Sequence, residues 1–138
     1  MATNIRIVQA DPAWAGRYEQ DVAELVHATG PVSYDYHFPK RTIFDEIVRR
    51  SWQTEGTLFA ADATLLAFDG DHLLGMQITF HGPEFRERTA ALAPLWKGLL
   101  DDGTATAEDL SKVLERSNNA HWLNPVVSAG VQYVHALS

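Results

Sequence analysis

Apolar and polar residues change their period along the chain, and each change predicts an element. Ile5-Arg6-Ile7-Val8-Gln9 is a short β-prone run. Asp11-Pro12 then predicts a helix start, since Asp is a good N-cap and Pro fits the first helical position, where its missing N–H costs nothing. Trp14, Tyr18, Val22, Leu25 and Val26 recur at helical spacing, and Gly30-Pro31 is expected to end the run. Val32-Ser33-Tyr34-Asp35-Tyr36-His37-Phe38 is read as a polar and aromatic loop. Pro39 restarts a helix through Ile43, Phe44, Ile47, Val48 and Trp52.

From Thr64 the period becomes strand-like. Thr64 to Phe68 runs into Asp69-Gly70, a hairpin signal because Gly readily takes positive φ. The returning strand alternates, with Leu74, Met76, Ile78 and Phe80 on one face and Gly75, Gln77, Thr79 and His81 on the other. Gly82-Pro83 closes the hairpin, and Phe85, Leu92, Leu95, Trp96, Leu99 and Leu100 follow a helical pattern that Pro94 breaks or kinks. Thr106 with Asp109 forms a variant capping box ahead of Leu110, Val113, Leu114 and Ser117. After Asn124-Pro125, residues 131–138 are again β-prone, with no turn or polar tail after Leu137. The expected fold class is α+β: a mixed, mostly antiparallel sheet with helices packed on it, in the order β-α-α-β-β-(helical insertion, 82–124)-β.

Composition narrows the function. The 138 residues suit one domain, and apolar residues at 46% can build a core. No apolar run approaches the roughly 20 residues that span a bilayer, and the N-terminus lacks a secretory pattern, so a soluble cytoplasmic protein is expected. A net charge of -7 opposes binding to nucleic acid and would suit a cationic amine. With no cysteine there is no thiolate nucleophile, and the six histidines show no i, i+4 pair, so no metal site is expected.

Three stretches resemble the N-terminal half of the GNAT superfamily, whose members move an acetyl group from acetyl-CoA to an amine. Ile5-Arg6-Ile7-Val8 resembles its first strand, and Leu65 to Met76 its second and third strands around Asp69-Gly70. Tyr133-Val134-His135-Ala136-Leu137-Ser138 is similar to the His-x-His-Ala-Leu-Ala strand of arylalkylamine N-acetyltransferases, with Tyr133 in place of the first histidine and His135 on the second. Two features depart from the family. The 82–124 segment replaces a short turn, and the pyrophosphate signature Arg/Gln-x-x-Gly-x-Gly/Ala is missing. The nearest string, Gln53 to Leu58, precedes strands, whereas the signature must open a helix whose N–H groups hold the phosphates. The resemblance therefore implies a domain cut short in its fourth strand.

The same resemblance implies the roles. His135 is expected to carry the amine proton, with Tyr133 beside it as a second proton carrier or a packed aromatic. The backbone of Leu137 and Ser138 is expected to hold acetyl-CoA. Tyr34, Tyr36 and His37 lie between the first two helices, where family members bind the acceptor, and Asp35 would add a carboxylate for an organic cation. Gln77 and Thr79 face either the acceptor cleft or solvent. Without the resemblance, His135 is a hydrogen-bonded core histidine and the aromatics pin a loop. Two alternatives to the transferase stand beside it. One is a non-catalytic half-domain that binds or dimerises through an open sheet edge, and the other a small cone-shaped α+β domain for a hydrophobic ligand. In the truncated-domain reading, residues 131–138 should pair with the 72–81 strand.

Overall fold

The computed structural model describes residues 4–120 and 130–138. β1 (Ile5–Gln9) leads into α1 (Pro12–Ala15), where Asp11 Oδ1 accepts from the Ala13 amide at 2.9 Å, the cap its sequence predicts. A 3-10 turn at Gly16–Tyr18 then separates α1 from α2 (Glu19–Thr29), so the one helix expected here is two. The expected loop at Val32–Phe38 is instead α3 (Pro31–His37). Pro31 opens a helix rather than merely ending α2, because a first-turn N–H has no intrahelical partner to lose. Phe38 N closes the last turn on Tyr34 O at 2.9 Å.

α4 (Arg41–Trp52) buries Ile43, Phe44, Ile47, Val48 and Trp52, and packs on Val22, Ala23 and Val26 of α2. The indole N–H of Trp52 donates to Ala15 O at 2.8 Å, which satisfies a polar group that would be costly to bury alone. β2 (Thr64–Asp69) and β3 (His72–His81) form the expected hairpin, with Gly70 at φ 60° in the turn. α5 (Glu84–Ala90), α6 (Ala93–Asp101) and α7 (Ala107–Asn119) occupy the predicted helical insertion, which splits just before Pro94. Thr106 and Asp109 make the reciprocal capping box at the start of α7.

β4 (Gln132–Leu137) pairs with β3, as the sequence predicts for this stretch. The fold is α+β, and the sheet runs β1-β2-β3-β4, antiparallel at every pairing rather than mixed. Leu66, Phe68, Met76, Ile78, Phe80 and Ala136 point into the helix-covered core. Leu74 does not join them. Ala67 pairs with Gly75 and Phe68 with Leu73, so Leu74 is an extra residue in β3, and this bulge turns Leu73 inward while leaving Leu74 exposed. Among the described residues, no helix is long and apolar enough to cross a membrane.

Gly75 sits beside Ser138, at the end of β4. A Cβ there would lie 2.5 Å from the Ser138 carbonyl oxygen, far inside van der Waals contact. Gly75→Ala should therefore push the end of β4 away and cost about 1–3 kcal/mol, read as a lowered urea midpoint. An unchanged midpoint would show that β4 does not need this approach.

Candidate functional site

Local hydrogen bonds position the walls of one cleft. The stretch after α4 turns back because Ser51 Oγ accepts from the Phe59 amide at 2.9 Å and is hydrogen-bonded to Thr57 Oγ1 at 2.7 Å. That turn delivers Leu58 and Phe59 to the cleft. Arg88 of α5 is buried and fastens the same turn, donating to Thr57 O at 3.0 Å and Asp62 Oδ1 at 3.2 Å while lying over the Phe80 ring. Phe85, one turn earlier on α5, is thereby held 6.1 Å from the His135 ring, centroid to centroid. Across from it, Tyr34 of α3 and Phe38 just after it rest on Phe44 at 4.7 and 5.2 Å.

A second bulge sets the back wall. Ile78 pairs with Ala136 and Thr79 with Val134, which leaves His135 as the unpaired extra residue of β4. Its imidazole turns to the helix side and packs among Phe59, Phe80, Phe85 and Tyr133, with centroids 5.5–6.2 Å away. Tyr133 Oη lies 3.5 Å from His135 Nδ1, at the outer limit of a hydrogen bond. Nε2 is buried with no protein partner among the described residues. Burial pushes the His135 pKa down to about 4, so the ring is neutral at pH 7. Burial also raises the Tyr34 phenol, against the lowering effect of a Thr29 hydrogen bond, and raises Tyr133.

The resulting cleft has a volume of about 610 Å³ between α3, α5, α7 and β4, the size that takes a small organic molecule. His135, Tyr34, His37 and Leu137 of the predicted site line it, and Tyr133 joins through His135. The others lie elsewhere. Tyr36 is on the outer side of α3, in a separate apolar hollow with Val32 and Asn119, and its carbonyl accepts from Arg116 at 2.8 Å. Asp35 is paired with His27 at 2.8 Å and is absent from the cleft lining. Gln77 opens onto the opposite face of the sheet with Ile7 and Leu65. The Thr79 hydroxyl is engaged inside the β3–β4 pair, donating to Tyr133 O at 3.0 Å and accepting from Gln132 Nε2 at 3.2 Å.

The two residues that the resemblance assigns to acetyl-CoA differ in what they can offer. Ser138 exchanges both backbone bonds with Met76, at 2.9 and 2.6 Å. Leu137 lies opposite Gln77 in the alternate, non-bonded position, so its N–H and C=O point to the edge of β4 that pairs with no strand among the described residues. A strand-like ligand arm could hydrogen-bond Leu137 there but not Ser138. Sequence reasoning missed Phe59, Thr89 and Ser117 as cleft residues. Phe59 lies in a turn with no periodic signal, and Thr89 and Ser117 stand on helix faces that pattern alone assigns to solvent or core.

No family model matches the chain, and neither does any curated protein or solved structure.

Proposed function

We propose that these residues form the acceptor side of a GNAT-type N-acetyltransferase, with the amine bound in the cleft and His135 receiving its proton. The observation that carries the reading is a neutral imidazole lining a ligand-sized aromatic cleft, with a buried Nε2 that has no partner among the described residues. Acetyl-CoA, when bound, would supply an activated acyl thioester. The chain itself would orient the acceptor against Phe59 and Phe85 and take the proton that leaves the nitrogen as the N–C bond forms and the thioester C–S bond breaks, that proton then passing to the departing thiolate, which leaves as the thiol. Tyr133 would hold the ring through Nδ1. The free backbone of Leu137 supports a place for the thioester arm beside the cleft. A cytoplasmic location goes with this reading, in line with a chain without cysteine.

Thiol release from acetyl-CoA with a panel of arylamines, arylalkylamines and amino acids tests it. A protein that joins these residues to the missing pyrophosphate signature should release thiol with at least one acceptor. His135→Gln should slow release about 100-fold or more, the scale of a lost general base. No release with any acceptor, or an unaffected His135→Gln variant, would sink the assignment.

A second reading, a non-catalytic module that pairs through the sheet, draws on the two unpaired edges, β1 and β4, among the described residues. It also draws on the sheet's outer face, where Ile5, Ile7 and Leu137 are 56%, 68% and 68% exposed. It requires a stable dimer in sedimentation and no thiol release.

A further inference from the structure

The cleft is unusual for its lack of charge. Among the described residues, no Asp, Glu, Lys or Arg lines it. The stretch His121 to Ala129 carries none of these residues either, so nothing in it could add a permanent charge. The one nearby carboxylate that the sequence offered for an organic cation, Asp35, is engaged by His27 and lies outside the lining. What remains is aromatic and aliphatic, chiefly Phe38, Phe59, Phe85, Leu92 and Val113, with hydroxyls and two imidazoles as polar handles.

We propose that this cleft selects an uncharged aromatic ligand and, for the acyl transfer proposed above, a weakly basic arylamine rather than a cationic alkylamine. The choice of acceptor class rests on that reading, while the preference for an uncharged ligand stands on the cleft alone. An ammonium group brought here loses several kcal/mol of hydration. Cation–π contact returns only about 0.5–2 kcal/mol, and no carboxylate makes up the rest. The cleft's own imidazole reports the same balance, since burial already disfavours a positive charge on His135. An arylamine is neutral at pH 7, stacks on the phenyl rings, and presents an N–H₂ group that can satisfy the Nε2 of His135, which has no partner among the described residues.

Three probes on one frame separate charge from shape: 4-phenylaniline (neutral), 4-phenylbenzylamine (cationic) and 4-phenylbenzyl alcohol (neutral). Binding can be followed by calorimetry and by Trp96 fluorescence, because Trp96 stacks on the cleft residue Phe38 at 5.9 Å. At pH 7 the aniline and the alcohol should each bind at least tenfold more tightly than the benzylamine. Ser117→Trp on α7 and Thr89→Trp on α5, both at exposed positions, should abolish that binding while melting as the parent does. Equal or tighter binding of the benzylamine overturns the proposal. So does weak binding of the alcohol, or tight binding that survives both tryptophans. If the aniline binds as expected but a protein that also carries the pyrophosphate signature releases no thiol from acetyl-CoA, the transferase reading fails while the uncharged-ligand site stands.

Discussion

Phe44→Ala should destabilise the protein by about 3–5 kcal/mol, the range for emptying a large buried aromatic site. Phe44 is 1% exposed on the buried face of α4, and three other rings converge on it. Tyr34, Phe38 and His27 lie 4.7, 5.2 and 5.5 Å from it, and the Arg41 guanidinium covers it at 5.6 Å. Two of those rings, Tyr34 and Phe38, are cleft walls. The same substitution should therefore loosen α3 and weaken binding of an aromatic ligand, even though Phe44 is not itself in the lining. Urea denaturation gives the stability change, and calorimetric titration of 4-phenylaniline gives the site change. A loss below about 1 kcal/mol would mean that the rings repack without it.

His135→Phe should leave stability nearly unchanged at pH 7 and raise it by about 2–3 kcal/mol at pH 4.5, relative to the parent. The folded pKa of about 4 lies below the ordinary 6.5, because burial opposes the charged ring. As pH falls, the unfolded chain takes up this proton first. The stability tied to a neutral His135 is therefore fully present above pH 6.5 and is lost between pH 6.5 and 4. Phenylalanine fits among Phe59, Phe80 and Phe85 without a titrating group or a buried nitrogen lacking a partner. Other groups also sense acid. Asp102, held near pKa 2 by Thr104 and Arg50, and Asp109, lowered by the Thr106 amide, act equally in both proteins. Identical acid slopes for parent and variant would show that His135 is not buried as described.

Much of this architecture can be read locally. The β2–β3 hairpin is visible because alternation and Asp69-Gly70 agree, and the α7 start because Thr106 and Asp109 are three residues apart. Leu74 and His135 behave differently. Each is the extra residue of a bulge, and a bulge is a property of cross-strand register rather than of either strand's own pattern. Alternation from Phe80 back to Leu74 assigns Leu74 to the core, and only the register at Ala67 and Gly75 moves it out. α3 escaped notice because Val32-Ser33-Tyr34-Asp35-Tyr36-His37 has no apolar stripe, and its helix is held by its packing against α2 and α7. The cleft drew His135, Tyr34, His37 and Leu137 from the sequence reading, but its uncharged character comes from segments far apart in the chain and could not be seen in any one of them.

β2 and β3 are neighbours across a two-residue turn, whereas β4 meets β3 only after roughly fifty residues that themselves fold into α5, α6 and α7. Bringing those ends together has an entropy cost that rises by about 0.6 kcal/mol with each doubling of the span. β4, like β1, which reaches β2 across a span of similar length, should therefore join the sheet after the β2–β3 hairpin and leave it before that hairpin does, and its amides should exchange with deuterium sooner than those of β2. The back wall of the cleft is made by that same strand. A molecule seated against His135 would slow its departure, so protection at Gln132–Leu137 becomes a direct gauge of occupancy.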